Sequence, residues 1–176
     1  MVRITKFFTY SLFFILVLMY FMPKVNTYYL LEQELKKYDV VVNSEQAKDT
    51  GFALNIKDSS IFVKSTRSAN VEDIKIRVFV LYNTIKIKNI KFSKTMKSFI
   101  PLHVDRISIK HSILNPLIVN IDGVGKLGEF EGKFHLLDRN LYISLKPSKI
   151  MLQKYKSTLK KFKKSENGSY IYEKNI

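Results

Sequence analysis

The chain has 176 residues, 46% of them hydrophobic, which excludes a disordered tail and leaves room for one domain with a single core. It contains no cysteine, so disulfides and thiolate-held metals are excluded. Thirty Lys and Arg against fifteen Asp and Glu give a formal net charge of +15. That balance suits anionic headgroups or nucleic acid, although the codon bias of an AT-rich genome enriches the same residue types.

In chain order, residues 7–22, FFTYSLFFILVLMYFM, form the one long apolar run, closed by Pro23. A helix needs roughly 17–25 residues to cross a bilayer. Ile4 and Thr5 extend the run, with Arg3 and Lys6 snorkelling to headgroups. The anchoring side chains are Phe7, Phe8, Phe13, Phe14, Ile15, Leu16, Val17, Leu18, Met19, Tyr20 and Phe21, and the aromatic ones suit the two interfaces. A cleaved signal peptide would need small residues at a cleavage site, which residues 20–27 lack. Sixteen apolar or near-apolar residues at a terminus, apolar on every face, weigh against the core helix of a soluble domain. The expectation is an uncleaved single-pass anchor in a bacterial inner membrane. Its short leading flank places the N-terminus in the cytoplasm and the domain in the periplasm.

Residues 27–38 read as a juxtamembrane helix, with Leu30, Leu31 and Leu35 on one face and Glu32 four residues before Lys36. From Asp39 the period changes to two. Short strands are expected at 40–42, 51–56 and 60–64, the first two separated by Asn43-Ser44-Glu45 and the last two by a tight turn at Asp58-Ser59. Residues 74–82 are the clearest strand, with Ile74, Ile76, Val78 and Val80 on one face. Asn83-Thr84 then turns into residues 85–92. There Ile85 and Ile87 alternate with lysines until the phase slips at Asn89, the mark of a β-bulge, and Ile90 and Phe92 take over. Further strands are expected at 107–113, at 117–121 after Asn115-Pro116, across the glycine-marked run 123–132, at 133–137 and, after a turn at 138–140, at 141–145.

Residues 149–164 break the β pattern. Met151, Tyr155, Leu159 and Phe162 form a helical stripe, ended by Gly168, with Tyr170 and Tyr172 in a last strand. The lysines of this stretch, Lys149, Lys154, Lys156, Lys160, Lys161, Lys163 and Lys164, are the candidate surface for anionic lipid or a partner. They equally fit a solvated face on a helix that caps the sheet. The fold expected is mainly β: a transmembrane helix over 1–26, a juxtamembrane helix over 27–38, a curved antiparallel sheet over 39–148, and a basic helix with its tail over 149–176.

No residues converge as a catalytic, cofactor-binding or metal site. His103, His111 and His135 fall in separate β segments without ligand spacing. Gly123, Gly125 and Gly128 spell G-x-G-x-x-G outside any strand–helix context, so they read as turn and bulge glycines. Tyr28, Tyr29, Tyr155, Phe162, Tyr170 and Tyr172 could stack on bases, but no nucleic-acid motif frames them.

The chain resembles the general secretion pathway protein N family of type II secretion systems. The resemblance lies in Tyr29-Leu30-Leu31, the strand at 74–82, Asn115-Pro116-Leu117, residues 125–145 with Pro147-Ser148, and the ending at 166–172. That family is similar in fold to the membrane-proximal β domains of AsmA-like proteins. The resemblance implies a non-enzymatic accessory part of a secretion, pilus or DNA-uptake apparatus, with other membrane-anchored secretion components as partners and no cofactor. The alternative is lipid or lipopolysaccharide handling, in which the apolar face of a curved sheet shields acyl chains. Beyond the anchor, the sequence does not separate the two.

Overall fold

The computed structural model describes residues 2–79 and 81–175. Helix α1 runs over Val2–Phe21 and helix α2 over Lys24–Lys36. Pro23 is the N-cap of α2; its ring precludes a donor there, so the chain restarts a helix instead of continuing one. The strands are β1 (Val40–Asp49), β2 (Leu54–Val63), β3 (Thr66–Arg77), β4 (Tyr82–Phe92), β5 (His103–Ser112), β6 (Asn115–Gly125), β7 (Gly128–His135) and β8 (Asn140–Pro147). A 3-10 turn over Lys94–Ser98 joins β4 to β5. Two short helices follow, α3 (Lys149–Lys154) and α4 (Lys156–Leu159), and then β9 (Lys163–Lys164) and β10 (Tyr170–Asn175). All ten strands form one antiparallel sheet in the order β1-β2-β3-β4-β5-β6-β7-β8-β10-β9.

The register builds an apolar inner face from two cross-strand rows. One runs Leu54, Ile76, Ile85, Ile109, Ile121, Gly132, Ile143, Tyr172; the other runs Ile56, Ile74, Ile87, Ile107, Gly123, Phe130, Leu145, Tyr170. Cross-strand pairs of this kind are the unit of sheet stabilisation. Where Gly123 interrupts the second row, the Phe130 ring lies over it, and a Cβ there would come within 2.2 Å of that ring.

A transverse crease then crosses β1 to β5. Positions Glu45, Asp58, Glu72, Asn89 and Asp105 fall out of the pairing at the same level of consecutive strands. The unpaired positions face one another from strand to strand, so the register from β1 to β5 is kept while each strand shifts its facing phase by one. Ser59, Val71, Ile90 and Val104 thus return to the inner face beyond the crease; only Asp105 is extra, against β6. Asp58 and Asn89 have φ of 51° and 53°, a left-handed conformation that Asp and Asn tolerate better than most residues.

The phase slip at Asn89 is real, but it is not a one-strand bulge, because Glu72 and Asp105 slip opposite it and the register to β3 and β5 is unbroken. The turn expected at Asp58-Ser59 is the same crease misread: β2 is continuous, and the turn into β3 is Lys64-Ser65, with φ of 48° and 62°. Likewise β1 runs through Asn43-Ser44-Glu45 instead of stopping there. Asn83-Thr84 lies inside β4, and the connection from β3 is residues 78–81, where Asn83 Oδ1 accepts the Phe79 N–H at 2.9 Å. Val80, expected on the inner face, lies outside the described residues. Pro116 sits in the first residues of β6, where a missing donor is tolerated.

The helix expected over 149–164 is two short helices broken at Tyr155 (φ −121°, ψ 34°) and then a strand; Gly168, with φ 82°, belongs to the turn between β9 and β10. On α2, Tyr28 enters the main core with Leu54, Ile56, Val71, Ile74, Ile90 and Val104. Leu30 is 64% exposed and Leu31 41%, and the local ion pair at the end of this helix is Lys37 with Glu34 at 2.6 Å, not Glu32 with Lys36. A second cluster joins Leu145, Met151 and Leu159 under α3 and α4.

Candidate functional site

The antiparallel order puts the connections β1–β2, β3–β4, β5–β6 and β7–β8 at one end of the strands, and α1 meets the sheet at that same end. The junction is built around Lys24, which is 2% exposed. Its Nζ donates to the carbonyls of Met19 (3.0 Å), Tyr20 (3.4 Å) and Met22 (3.0 Å), and stands 3.8 Å from Asp49 Oδ1. A cation is favourable there, at the negative end of the α1 dipole. Asp49 completes the joint by accepting the Lys24 N–H at 3.3 Å, at the start of α2, and the Gly51 N–H at 2.8 Å. The Tyr20 ring covers Gly51 and meets Phe52 edge-on at 5.4 Å between centroids, and Phe52 stacks on Phe79 at 6.4 Å.

Beside this joint, α2 leaves a hollow of about 220 Å³ against the sheet. Its walls are Tyr28, Leu31, Ile76, Val78, Ile85 and Ile109, with Lys24, Arg77 and His111 also on the lining. From there the inner face continues across Val119, Ile121, Phe134 and Ile143. These half-buried side chains belong to neither packed cluster. An apolar face outside any packed cluster, next to a helix long and apolar enough to cross a membrane, is suited to hydrocarbon.

The outer face has larger hollows, of about 370 and 670 Å³, in which some of the polar groups bind one another. Arg67 Nε donates to Asn70 Oδ1 at 2.8 Å and its Nη2 to Ser60 Oγ at 2.9 Å, and Asn89 Nδ2 donates to Glu72 Oε2 at 2.8 Å. Lys110 Nζ lies 2.6 Å from Asp122 Oδ1; that hydrogen bond, with the Asp122 charge and against burial, raises the Lys110 pKa above its usual 10.5.

The residues expected to anchor the chain all lie on α1. Phe7, Phe8, Phe13, Phe14, Ile15, Leu16, Leu18, Tyr20 and Phe21 are exposed on α1, with Val17 and Met19 half-buried. The span Arg3–Phe21 is long and apolar enough to cross a membrane. Lys149, Lys154, Lys156, Lys160, Lys161, Lys163 and Lys164 are all exposed, but spread over α3, α4, the connection after α4 and β9 instead of along one helix face. His111 Nε2 bonds the Pro116 carbonyl at 3.0 Å, His103 pairs with Asp105 at 2.9 Å, and no group of residues able to hold a metal ion exists among the described residues. Sequence reasoning missed Lys24 and Asp49, since nothing in a lone Lys and a lone Asp 25 residues apart signals a joint. No protein-family model, curated protein or solved structure matches this chain.

Proposed function

We propose that this chain is a non-enzymatic, membrane-tethered β module that shields acyl chains on its inner face at the surface of a bacterial inner membrane, on the periplasmic side. The observation that carries this reading is the apolar stretch through Ile109, Ile121 and Ile143, which continues the packed core rows yet lies outside both packed clusters and beside the hollow next to Lys24. A slender hollow of about 220 Å³ falls below the roughly 300–1,000 Å³ of drug-sized pockets and suits a segment of one chain. Native mass spectrometry of the detergent-extracted chain tests it. Retained phospholipid, lost in Ile121→Lys, is expected; a folded wild-type chain that carries no lipid would sink the reading.

A second reading is favoured by one observation. β1 is an edge strand of ten residues, whereas the opposite edge is the two-residue β9. A long free edge can pair with a partner strand, which fits docking to other anchored components of a type II secretion-like apparatus. Crosslinking from β1 in intact cells should then recover such components, and recovery of none counts against it.

A further inference from the structure

The four connections at the α1 end carry exposed large apolar side chains. They are Phe52 in the first, Leu81 in the second, Ile113 and Leu114 in the third, and Leu136 and Leu137 in the fourth. Leu114 is 91% exposed, Leu137 73% and Leu81 65%. A hairpin tip in water is ordinarily built from polar turn residues, and four consecutive tips on one end breach that rule together. The opposite end has the expected chemistry: Lys64 in one connection, Lys94 and Lys97 in the next, and Lys126 in the third, all exposed. Large apolar residues are exposed there too, Tyr38, Val63, Phe99, Ile150 and Leu152 among them, each within two residues in sequence of an exposed lysine.

We propose that the α1-side hairpin tips are immersed in the leaflet through which α1 enters the bilayer, so that the sheet stands on its end on the membrane. The occupant is fixed by continuity. Tyr20 and Phe21, the last residues of the apolar helix, lie at the level of the first tip, because the Tyr20 ring contacts Phe52 and Gly51. Successive tips on this end are two strands apart, roughly 10 Å, so they extend the contact sideways from α1 as a row. Apolar side chains in such interfacial elements lie about 5–10 Å into the headgroup and acyl boundary. Arg139, exposed two residues after Leu137, is placed for headgroup phosphate. The contact holds whichever side of the membrane the domain occupies, and whether or not the inner face binds lipid.

Because the chain has no cysteine, single thiols report single positions. Leu114→Cys, Leu137→Cys, Lys64→Cys and Lys126→Cys, each in the full chain, are labelled with one small fluorophore and reconstituted into vesicles of phosphatidylethanolamine and phosphatidylglycerol. Quenching by lipids that carry a nitroxide on the acyl chain is compared at the four sites. All four side chains are exposed, so labelling leaves the sheet intact, which circular dichroism verifies. Labels at 114 and 137 should be quenched at least about threefold more than those at 64 and 126, given immersion to the acyl boundary. Equal quenching at all four overturns the proposal, as does stronger quenching at the lysine end.

Discussion

The two helical covers of the inner face solve the same problem with different means. Over the first strands, α2 is a 13-residue helix that lowers Tyr28 into a core where Ile56 is 0% and Leu54 1% exposed. At the far side, α3 and α4 are helices of six and four residues that seal Leu145 with Met151 and Leu159. Helices that short have no stability of their own and hold only by packing and caps. The first cover is also tied to α1 through Lys24, whereas the second is tied to the sheet through Ser148, whose Oγ caps α3 at the Met151 N–H and donates to the Lys126 carbonyl. The lesson is that the half of the sheet nearer α1 in sequence carries the deep core, and the later half is a lighter attachment.

Truncation inside each core should break this comparison most visibly. Ile56→Ala is expected to cost about 3–4 kcal/mol and Leu159→Ala about 2–3 kcal/mol, since the smaller cluster can collapse onto the cavity. Urea unfolding of the full chain in detergent, followed by far-ultraviolet dichroism, measures both; equal losses would erase the distinction. Lys24→Met removes a cation from three carbonyls and leaves Asp49 without its charge partner, for a loss of about 2–3 kcal/mol. It should also loosen α1 from the sheet, seen as faster reorientation of a spin label at Phe52→Cys relative to α1. Ser148→Ala should cost about 1 kcal/mol, with faster hydrogen exchange confined to α3 and α4.

The smallest effect belongs to Lys110 and Asp122 on the outer face. Lys110→Met should cost about 0.2–1 kcal/mol at neutral pH, because both partners are well exposed. The folded Lys110 pKa is raised by the Asp122 hydrogen bond, so the contribution is complete below 10.5 and fades as pH rises through the higher folded value. Wild type and variant should therefore converge in stability only in strongly alkaline buffer, and convergence already near pH 9 would rule out this pair as the cause.

How far the sequence could be read follows from the same contrast. The phase slip at Asn89 was legible because isoleucine and lysine alternate cleanly on both sides of it. The equivalent slip at Asp58 lies in a polar context, Lys57-Asp58-Ser59-Ser60, where a turn and a phase slip present the same residues. Much of β3, from Thr66 to Asp73, was invisible because its inward residues are Ala69 and Val71 among polar neighbours. The basic stretch near the C-terminus shows a helical stripe through Met151, Tyr155 and Leu159, and tertiary contacts break it at Tyr155 regardless. The apolar hollow was not legible at all, since its walls come from α2, β3, β4 and β5, and only the register brings them together.

The strand order has a consequence for how the chain acquires its shape. From β1 to β8 each strand pairs with the one just before it in sequence, so every sheet contact in that span closes only a short loop. The single departure is the return of β10 onto β8 past β9. Low sequence separation between partners favours rapid folding. A chain emerging behind α1 can thus add hairpins one at a time, without waiting for its C-terminus, until the last strand locks onto β8. Truncation after Pro147 should leave β1 to β7 protected in hydrogen exchange, whereas removal of β1 and β2 should unravel the α2 core.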